Sequence, residues 1–235
     1  DLTGIQDGTH TVAIYPSDHL EGTPQTFTLD RKTRLHELDV RLDPGRTVPL
    51  VAIDANDDPV SGATVLAVAD GKIRARTKTD EDGRATIAVP ADEAATLFVL
   101  PSEGAFGVQR IARNVERGRI RVYLPPASSS LLIRARTTDG AEMPPFSLLM
   151  RYNGELMPAA VADQLGEVQG LRLATGKAGE ALLQHIPAGS YEFWPYRTEE
   201  EAASIAAAAD VAAAPIVVNV RTGENKVAVK FAARR

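Results

Sequence analysis

Four aromatic side chains lie close together in the last quarter of the chain and could contact a ligand. They are Tyr191, Phe193, Trp194 and Tyr196. Tyr191 and Phe193 alternate onto one face of a predicted strand, so we expect them in the core. Trp194 and Tyr196 fall on the opposite face, where flat rings could stack on a sugar or anchor a partner protein. The alternative is that these two rings pack beneath the alanine-rich segment that follows, since large aromatic side chains are generally buried.

Basic side chains recur at every second position on several predicted strands. They are Arg74, Arg76 and Lys78 on one strand, Arg119 and Arg121 on a second, and Arg134 and Arg136 on a third. A shared outward face of such residues could bind an anionic glycan or an acidic partner. The alternative is a solvated sheet face on which acidic residues balance the charge. We therefore predict Arg74, Arg76, Arg119 and Arg121 as candidate partner contacts.

The turn Asp80-Glu81-Asp82-Gly83 carries three carboxylates, which are the oxygen ligands that calcium prefers. A corresponding turn at 175–179 reads Thr-Gly-Lys-Ala-Gly and has no carboxylate. A metal that the fold required should be required in both turns. We therefore predict that the acidic residues serve the turn itself, because Asp and Gly are common turn residues, and calcium binding is the alternative.

The sequence shows no arrangement of residues that is typical of catalysis. Its four histidines, His10, His19, His36 and His185, are scattered, and it has no cysteine. None of them has the spacing of a metal site, and the sequence contains neither a Ser/His/Asp elbow nor a glycine-rich phosphate loop. We therefore predict no catalytic, cofactor-binding or metal-ligating residue, and we do not expect an enzyme.

The segment 57–90 indicates β-strands. Asp70-Gly71 separates two alternating stretches and favours a type I′ turn, because both residues tolerate positive φ, and Asn153-Gly154 gives the same signal later. The inward faces are predicted to carry Val65, Ala67 and Ala69 on the entering strand, Ile73, Ala75 and Thr77 on the leaving strand, and Ala85, Ile87 and Val89 on a third. A period of two with one apolar face predicts a half-buried sheet.

The hairpin lies between the stretches Pro59-Val60-Ser61-Gly62-Ala63-Thr64-Val65 and Thr79-Asp80-Glu81-Asp82-Gly83-Arg84-Ala85. This arrangement resembles the carboxypeptidase regulatory-like domain, a seven-stranded sandwich of the prealbumin (transthyretin-like) kind. The resemblance implies an all-β, Ig-like fold and a non-catalytic accessory role.

Internal similarity predicts that such modules occur in tandem. Residues 1–16 align with 181–196, and residues 27–42 align with 218–231. Residues 1–45 are therefore expected to be a partial β module, the C-terminal half of a repeat whose front half is missing or precedes this sequence.

The rest of the chain is predicted as two complete modules. Residues 46–126 form a β-sandwich that carries the family resemblance, and a Pro/Ser-rich linker at 125–130 follows. Residues 127–235 form a second β-sandwich. We expect one short helix within it, near 198–210, where a capping box precedes a weak apolar stripe.

Composition limits the function classes. The chain of 235 residues is 44% hydrophobic and 24% charged, which is typical of a globular protein. Its net charge of −5 argues against nonspecific nucleic-acid binding. The sequence contains no run of the about 18 apolar residues that a membrane span needs.

These features together predict a non-catalytic structural or interaction protein located outside the cytoplasm of a bacterium-like cell, in the periplasm, on the cell surface or secreted. Its modules would dock or space protein partners, as an accessory subunit of an envelope or membrane-associated assembly. No cofactor and no nucleic-acid partner are expected. The alternative is a carbohydrate-binding accessory module that uses Trp194 and Tyr196.

Overall fold

The computed structural model describes the greater part of the chain, with gaps between the described segments. The described residues are 5–12, 14, 19–20, 25–30, 37–39, 42–43, 45–113, 118–125, 129–137, 140, 147–158, 160–161, 164, 179–196, 198–207 and 215–231. β-Strands make up most of these segments, so the predicted all-β fold class is confirmed.

Near the start of the chain, β1 (Gly8–Val12) and β2 (Gln25–Leu29) form an antiparallel hairpin. One face carries exposed threonines whose hydroxyls pair across the strands, Thr9 with Thr28 and Thr11 with Thr26. On the other face the rings of His10 and Phe27 lie with their centroids 5.7 Å apart. The hairpin therefore has one polar face and one partly apolar face.

The first sandwich consists of seven strands in two sheets. They are β3 (Arg46–Ile53), β4 (Thr64–Ala69), β5 (Lys72–Lys78), β6 (Arg84–Val89), β7 (Ala95–Leu100), β8 (Gly107–Ile111) and β9 (Ile120–Tyr123). One sheet has the order β6-β3-β9, with β3 parallel to β9, and the other has the order β5-β4-β7-β8. The facing sides of the sheets enclose an aliphatic core that includes Leu50, Val65, Ile87 and Leu97.

The second sandwich repeats this topology strand for strand. Its strands are β10 (Ser129–Thr137), β11 (Ser147–Tyr152), β12 (Glu155–Met157), β13 (Glu180–Ile186), β14 (Gly189–Tyr196), β15 (Ile216–Val220) and β16 (Glu224–Phe231). The sheets have the orders β13-β10-β16, with β10 parallel to β16, and β12-β11-β14-β15. The predicted tandem of seven-stranded sandwiches is thus confirmed, and the exact module boundaries stay predictions.

Both predicted type I′ turns are present. Asp70 and Gly71 have φ values of 53° and 69°, and Asn153 and Gly154 have values of 47° and 86°. Asp, Asn and Gly reach this left-handed region at lower cost than other residues. For this reason the hairpins β4–β5 and β11–β12 could be located from the sequence alone.

The predicted alternation fails at one point of β5. Ala67 pairs with Ala75, but the next residue of β4, Val68, pairs with Ile73, so Arg74 has no partner on β4. Such a β-bulge changes the face on which the neighbouring side chains lie. Ile73 packs with Val68 on the outer side of the sheet, whereas Ala75 lies in the core. The prediction that Ile73 and Ala75 share one face is therefore wrong.

Thr79 connects the two stretches that carry the family resemblance. Its hydroxyl accepts the backbone N–H of Ala63 at 2.9 Å and donates to the carbonyl of Val60 at 2.7 Å. Its backbone N–H donates to the Ala63 carbonyl, and its carbonyl accepts the N–H of Gly62, each at 3.0 Å. The turn before β4 and the turn before β6 are therefore held as one unit.

The hairpin β1–β2 corresponds to the pair β14–β15. Gly8 lies opposite Leu29, and Gly189 lies opposite Val220. The two glycines also have similar φ values, 145° and 153°. The structure thus aligns Gly8 with Gly189, one residue away from the alignment predicted from the sequence.

A helix, α1 (Glu199–Ala207), lies in the connection between β14 and β15. The Thr198 hydroxyl accepts the backbone N–H of Glu201 at 3.2 Å, and the Thr198 carbonyl accepts that of Ala202 at 3.0 Å. These bonds satisfy backbone donors at the start of the helix, as the predicted cap requires.

Some predicted features lie wholly or partly outside the described residues. These are most of the turn at 175–179, residues 126–128 of the linker, and residues 208–210 of the predicted helix. Of the segment 27–42 that is predicted to align with 218–231, residues 37–39 and 42 are described beyond β2 and lie outside the strands.

Candidate functional site

The outer face of the four-stranded sheet in the second sandwich carries the aromatic residues predicted to contact a ligand. Trp194 is 2% exposed and packs against Leu149 of β11 and Ile205 of α1. The Arg151 guanidinium carbon lies 5.2 Å from the centroid of the Trp194 ring, within the range of a cation–π contact. Tyr196 is half-buried against the same cluster. This arrangement corresponds to packing beneath the helix, and glycan contact stays a prediction.

The predicted basic contacts lie on different sheets of the first sandwich. Arg74 and Arg76 belong to β5 and are half-buried. Arg119 and Arg121 lie immediately before and within β9, and both are exposed. β5 lies over β6 and β9 lies beside β8, so the two pairs occupy opposite edges of the sandwich. The structure therefore does not bring the four residues together in one basic face.

The acidic turn is held by its own hydrogen bonds. Asp80 Oδ1 accepts the backbone N–H groups of Asp82 at 3.0 Å and of Arg84 at 2.7 Å. The Asp82 carboxylate also pairs with the Arg84 guanidinium at 2.8 Å. Within the described part of the chain, no group of three or more His, Asp or Glu side chains is placed so that it could hold a metal ion. The contacts of Asp80 and Asp82 are those of a turn.

The core of the second sandwich contains a buried tyrosine pair. The Tyr191 hydroxyl donates to the Pro187 carbonyl at 2.6 Å, and its ring stacks on Phe193 with centroids 5.6 Å apart. The Tyr152 ring lies 4.8 Å from that of Tyr191, and its hydroxyl donates to the Ala188 carbonyl at 3.1 Å. Burial raises the pKa of Tyr191 far above its usual value, and Tyr152 adds to the shift. Burial also raises the pKa of Tyr152.

The raised pKa of Tyr191 predicts a loss of stability at alkaline pH. Above about pH 10 the unfolded chain releases the tyrosine proton while the folded chain keeps it, so stability is complete below that pH and falls above it. One such tyrosine lowers the free energy of unfolding by about 1.4 kcal/mol for each pH unit above this value. We expect Tyr191→Phe to reduce this slope, as measured by urea denaturation between neutral pH and strongly alkaline pH.

Tyr123→Phe is the matched control for this prediction, because Tyr123 is 58% exposed. It should leave the alkaline slope unchanged. Equal slopes for the wild-type chain and Tyr191→Phe would contradict the assignment of the alkaline loss to the buried hydroxyl.

The outer face of the four-stranded sheet in the first sandwich is buried against the second sandwich. Leu66 of β4 and Phe98 of β7 are both 0% exposed and belong to the same hydrophobic cluster as Leu131, in the core of the second sandwich. Phe106, in the connection between β7 and β8, meets the Tyr152 ring edge to face with centroids 5.5 Å apart. The outer face of the first sandwich and the core of the second sandwich therefore form one continuous apolar cluster, separate from the core of the first sandwich.

Polar contacts lie at the rim of this junction. The Thr96 hydroxyl donates to one carboxylate oxygen of Glu155 at 2.8 Å, and the Arg110 guanidinium lies 3.5 Å from the other oxygen. A cavity of about 200 Å³ opens beside them and is also lined by the hairpin residues Asp70 and Gly71. The junction thus has an apolar centre and a charged, partly open edge.

This junction was not predicted, although the sequence contains a signal for it. All six residues of β4 are buried, and so are the last four residues of β7. A continuous apolar run of strand length is typical of a strand that is buried on both faces. Strict alternation predicts only Val65, Ala67 and Ala69 of β4 as core residues.

The fold and these contacts define a protein of stacked β-sandwich modules. Among the described residues, no helix has both the length and the apolar character that crossing a membrane requires. No protein-family model and no curated protein matches the chain. The assignment to the carboxypeptidase regulatory-like family therefore stays a prediction, whereas the sandwich fold that it implied is confirmed.

Solved structures that match the chain include bacterial pilins. A streptococcal ancillary pilin matches at 13% identity and a TM-score of 0.35, over 98% of this chain and 77% of that one. The Bacillus anthracis TIE protein matches at 10% identity and a TM-score of 0.31, over 95% of this chain and 41% of that one. GBS52, a minor pilin of Streptococcus agalactiae, matches at 10% identity and a TM-score of 0.33, over 79% of this chain and 95% of that one. At these TM-scores the likenesses support no conclusion about function.

Proposed function

We propose that this chain is a non-catalytic structural and interaction protein, located outside the cytoplasm, whose stacked sandwiches hold protein partners at a fixed spacing. The observation that carries the proposal is the apolar cluster that joins the outer face of the first sandwich to the core of the second. Bending at the junction would expose Leu66, Phe98 and Phe106, which are now fully buried. A large hydrophobic interface of this kind opposes relative motion of two modules. A rigid pair of modules is suited to spacing other proteins.

Edge strands supply surfaces for those partners. Tyr123 on β9, Leu182 on β13 and Val217 on β15 are 58%, 47% and 61% exposed. Each of these strands lies at the edge of its sheet, where backbone groups can pair with a strand of another protein. An envelope or membrane-associated assembly is the setting in which we place these contacts.

The proposal is tested in intact producing cells with a photo-crosslinking amino acid at position 123 or 182. We expect discrete adducts with a protein partner, and cleavage of the chain by protease added outside the cytoplasmic membrane. A probe at Leu97, which is 0% exposed, is the matched control and should give no adduct. A chain that is protected by the cytoplasmic membrane and gives no adduct from either exposed position would contradict the proposal.

A further inference from the structure

Two equivalent loops contact the module that follows them in the chain: the connection between β1 and β2, and the connection between β7 and β8. Leu20, in the connection between β1 and β2, is 2% exposed and belongs to the core cluster of the first sandwich. Phe106, in the connection between β7 and β8, reaches Tyr152 of the second sandwich. Since β1–β2 corresponds to β14–β15, the same connection joins one unit to the next at both junctions.

In the second sandwich this connection carries α1, which folds back onto its own sheet. The sheet face beneath α1 corresponds to the docking face of the first sandwich. Leu66 pairs with Phe98, and Leu149 pairs with Trp194. Leu66 and Leu149 each lie four residues before the first residue of a type I′ turn. Phe98 is covered by the next sandwich and Trp194 by α1.

We propose that α1 is a cap that takes the place of a docked module: it covers a face that fits the end of another β-sandwich, and it opens without unfolding the sheet beneath. This inference rests on the proposed function, since it assigns a docking face to the stacked modules. The occupant is a β-sandwich because that is what lies on the equivalent face of the first sandwich.

The short length of α1 and its limited contacts with the sheet are consistent with a helix that can detach from the sheet. The helix has nine residues, and among its described side chains Ile205 belongs to the cluster with Trp194. Isolated helices shorter than about 12 residues are marginal in water. The sheet beneath is held independently by the pairing of β14 with both β11 and β15.

Trp194 is the sole tryptophan of the chain, so its fluorescence reports the cover directly. Ser204→Pro should break α1 from its exposed side, because proline cannot continue a helix, and Ser204→Ala is the matched control that keeps it. We expect acrylamide quenching of Trp194 to rise several-fold in Ser204→Pro and to stay unchanged in Ser204→Ala, with the β-sheet circular dichroism retained. Loss of the strands together with the helix would overturn the proposal, as would an unchanged quenching.

Hydrogen exchange on the wild-type chain gives a second test that does not depend on folding of a variant. Amides of 199–207 should exchange much faster than those of β14. Equal protection of the helix and the strand would mean that α1 opens only with the sheet, and this would overturn the proposal.

The docking role is tested by sedimentation velocity over a concentration series. The uncovered face would expose Leu149 and Trp194 beside the Arg151–Glu192 ion pair. Since exposed apolar surface favours association, we expect Ser204→Pro to associate more strongly than Ser204→Ala, and the added change Leu149→Glu to reverse the association. Exposure of Trp194 without any association would overturn the docking role. The crosslinks from positions 123 and 182 do not involve this face. If the Ser204 variants show no association, the proposed function is unaffected. If the crosslinking experiment fails, the opening of α1 can still be measured by quenching of Trp194.

Discussion

Replacing Phe106 with alanine is expected to lower the free energy of unfolding by about 3–5 kcal/mol. The side chain is 0% exposed and makes an edge-to-face contact with Tyr152 across the junction. Its removal would leave a cavity in the apolar cluster that joins the two sandwiches, and both would lose stability. We propose urea denaturation followed by circular dichroism for all strands and by Trp194 fluorescence for the second sandwich, with the midpoints of both signals shifting to lower urea.

Tyr123→Ala removes a side chain of similar size from the exposed edge of the first sandwich, where Tyr123 is 58% exposed. It should change stability by less than about 0.5 kcal/mol. If Phe106→Ala had the same small effect, the apolar cluster at the junction would not be coupling the two sandwiches. A shift of the circular dichroism signal alone, with the Trp194 signal unchanged, would also contradict the coupling.

The β-hairpins could be predicted from the sequence because their signals are local. Asp70-Gly71 and Asn153-Gly154 combine a required positive φ with alternating flanks, and both turns are present. The bulge at Arg74 could not be predicted, because it depends on which residue of β4 lies opposite each residue of β5. That register is set by two strands together and not by the period of either strand.

The burial of Trp194 illustrates a second limit. Alternation placed Trp194 and Phe193 on opposite faces of β14, and the structure agrees, since they belong to different clusters. Alternation does not tell whether the outer face meets water, a helix or another module. On β7, the equivalent strand of the first sandwich, the outer face is covered by another module, because Phe98 is buried against the second sandwich. What covers a face is a property of tertiary packing and is not encoded in the strand period.

Replacing Gly83 with alanine is expected to cost about 2–5 kcal/mol, the sum of left-handed backbone strain and a steric clash. Gly83 has a φ of 68°, and an added Cβ would lie 2.6 Å from the carbonyl oxygen of Ala52 and 3.0 Å from the backbone nitrogen of Val60. Both neighbours are backbone atoms, so the clash cannot be relieved by rotating a side chain. Moving them would break the hydrogen bond of 2.8 Å from the Ala52 N–H to the Gly83 carbonyl.

Gly62→Ala separates the two causes, because Gly62 has nearly the same φ, 67°, and no atom within 4 Å of an added Cβ. It should cost only the backbone strain, about 1–2 kcal/mol. The difference between the two variants, about 1–3 kcal/mol, then measures the close approach of the turn before β6 to the backbone of β3. Equal losses in thermal or urea denaturation would mean that the turn can move away, and that the two stretches joined by Thr79 are less tightly fixed than their hydrogen bonds indicate.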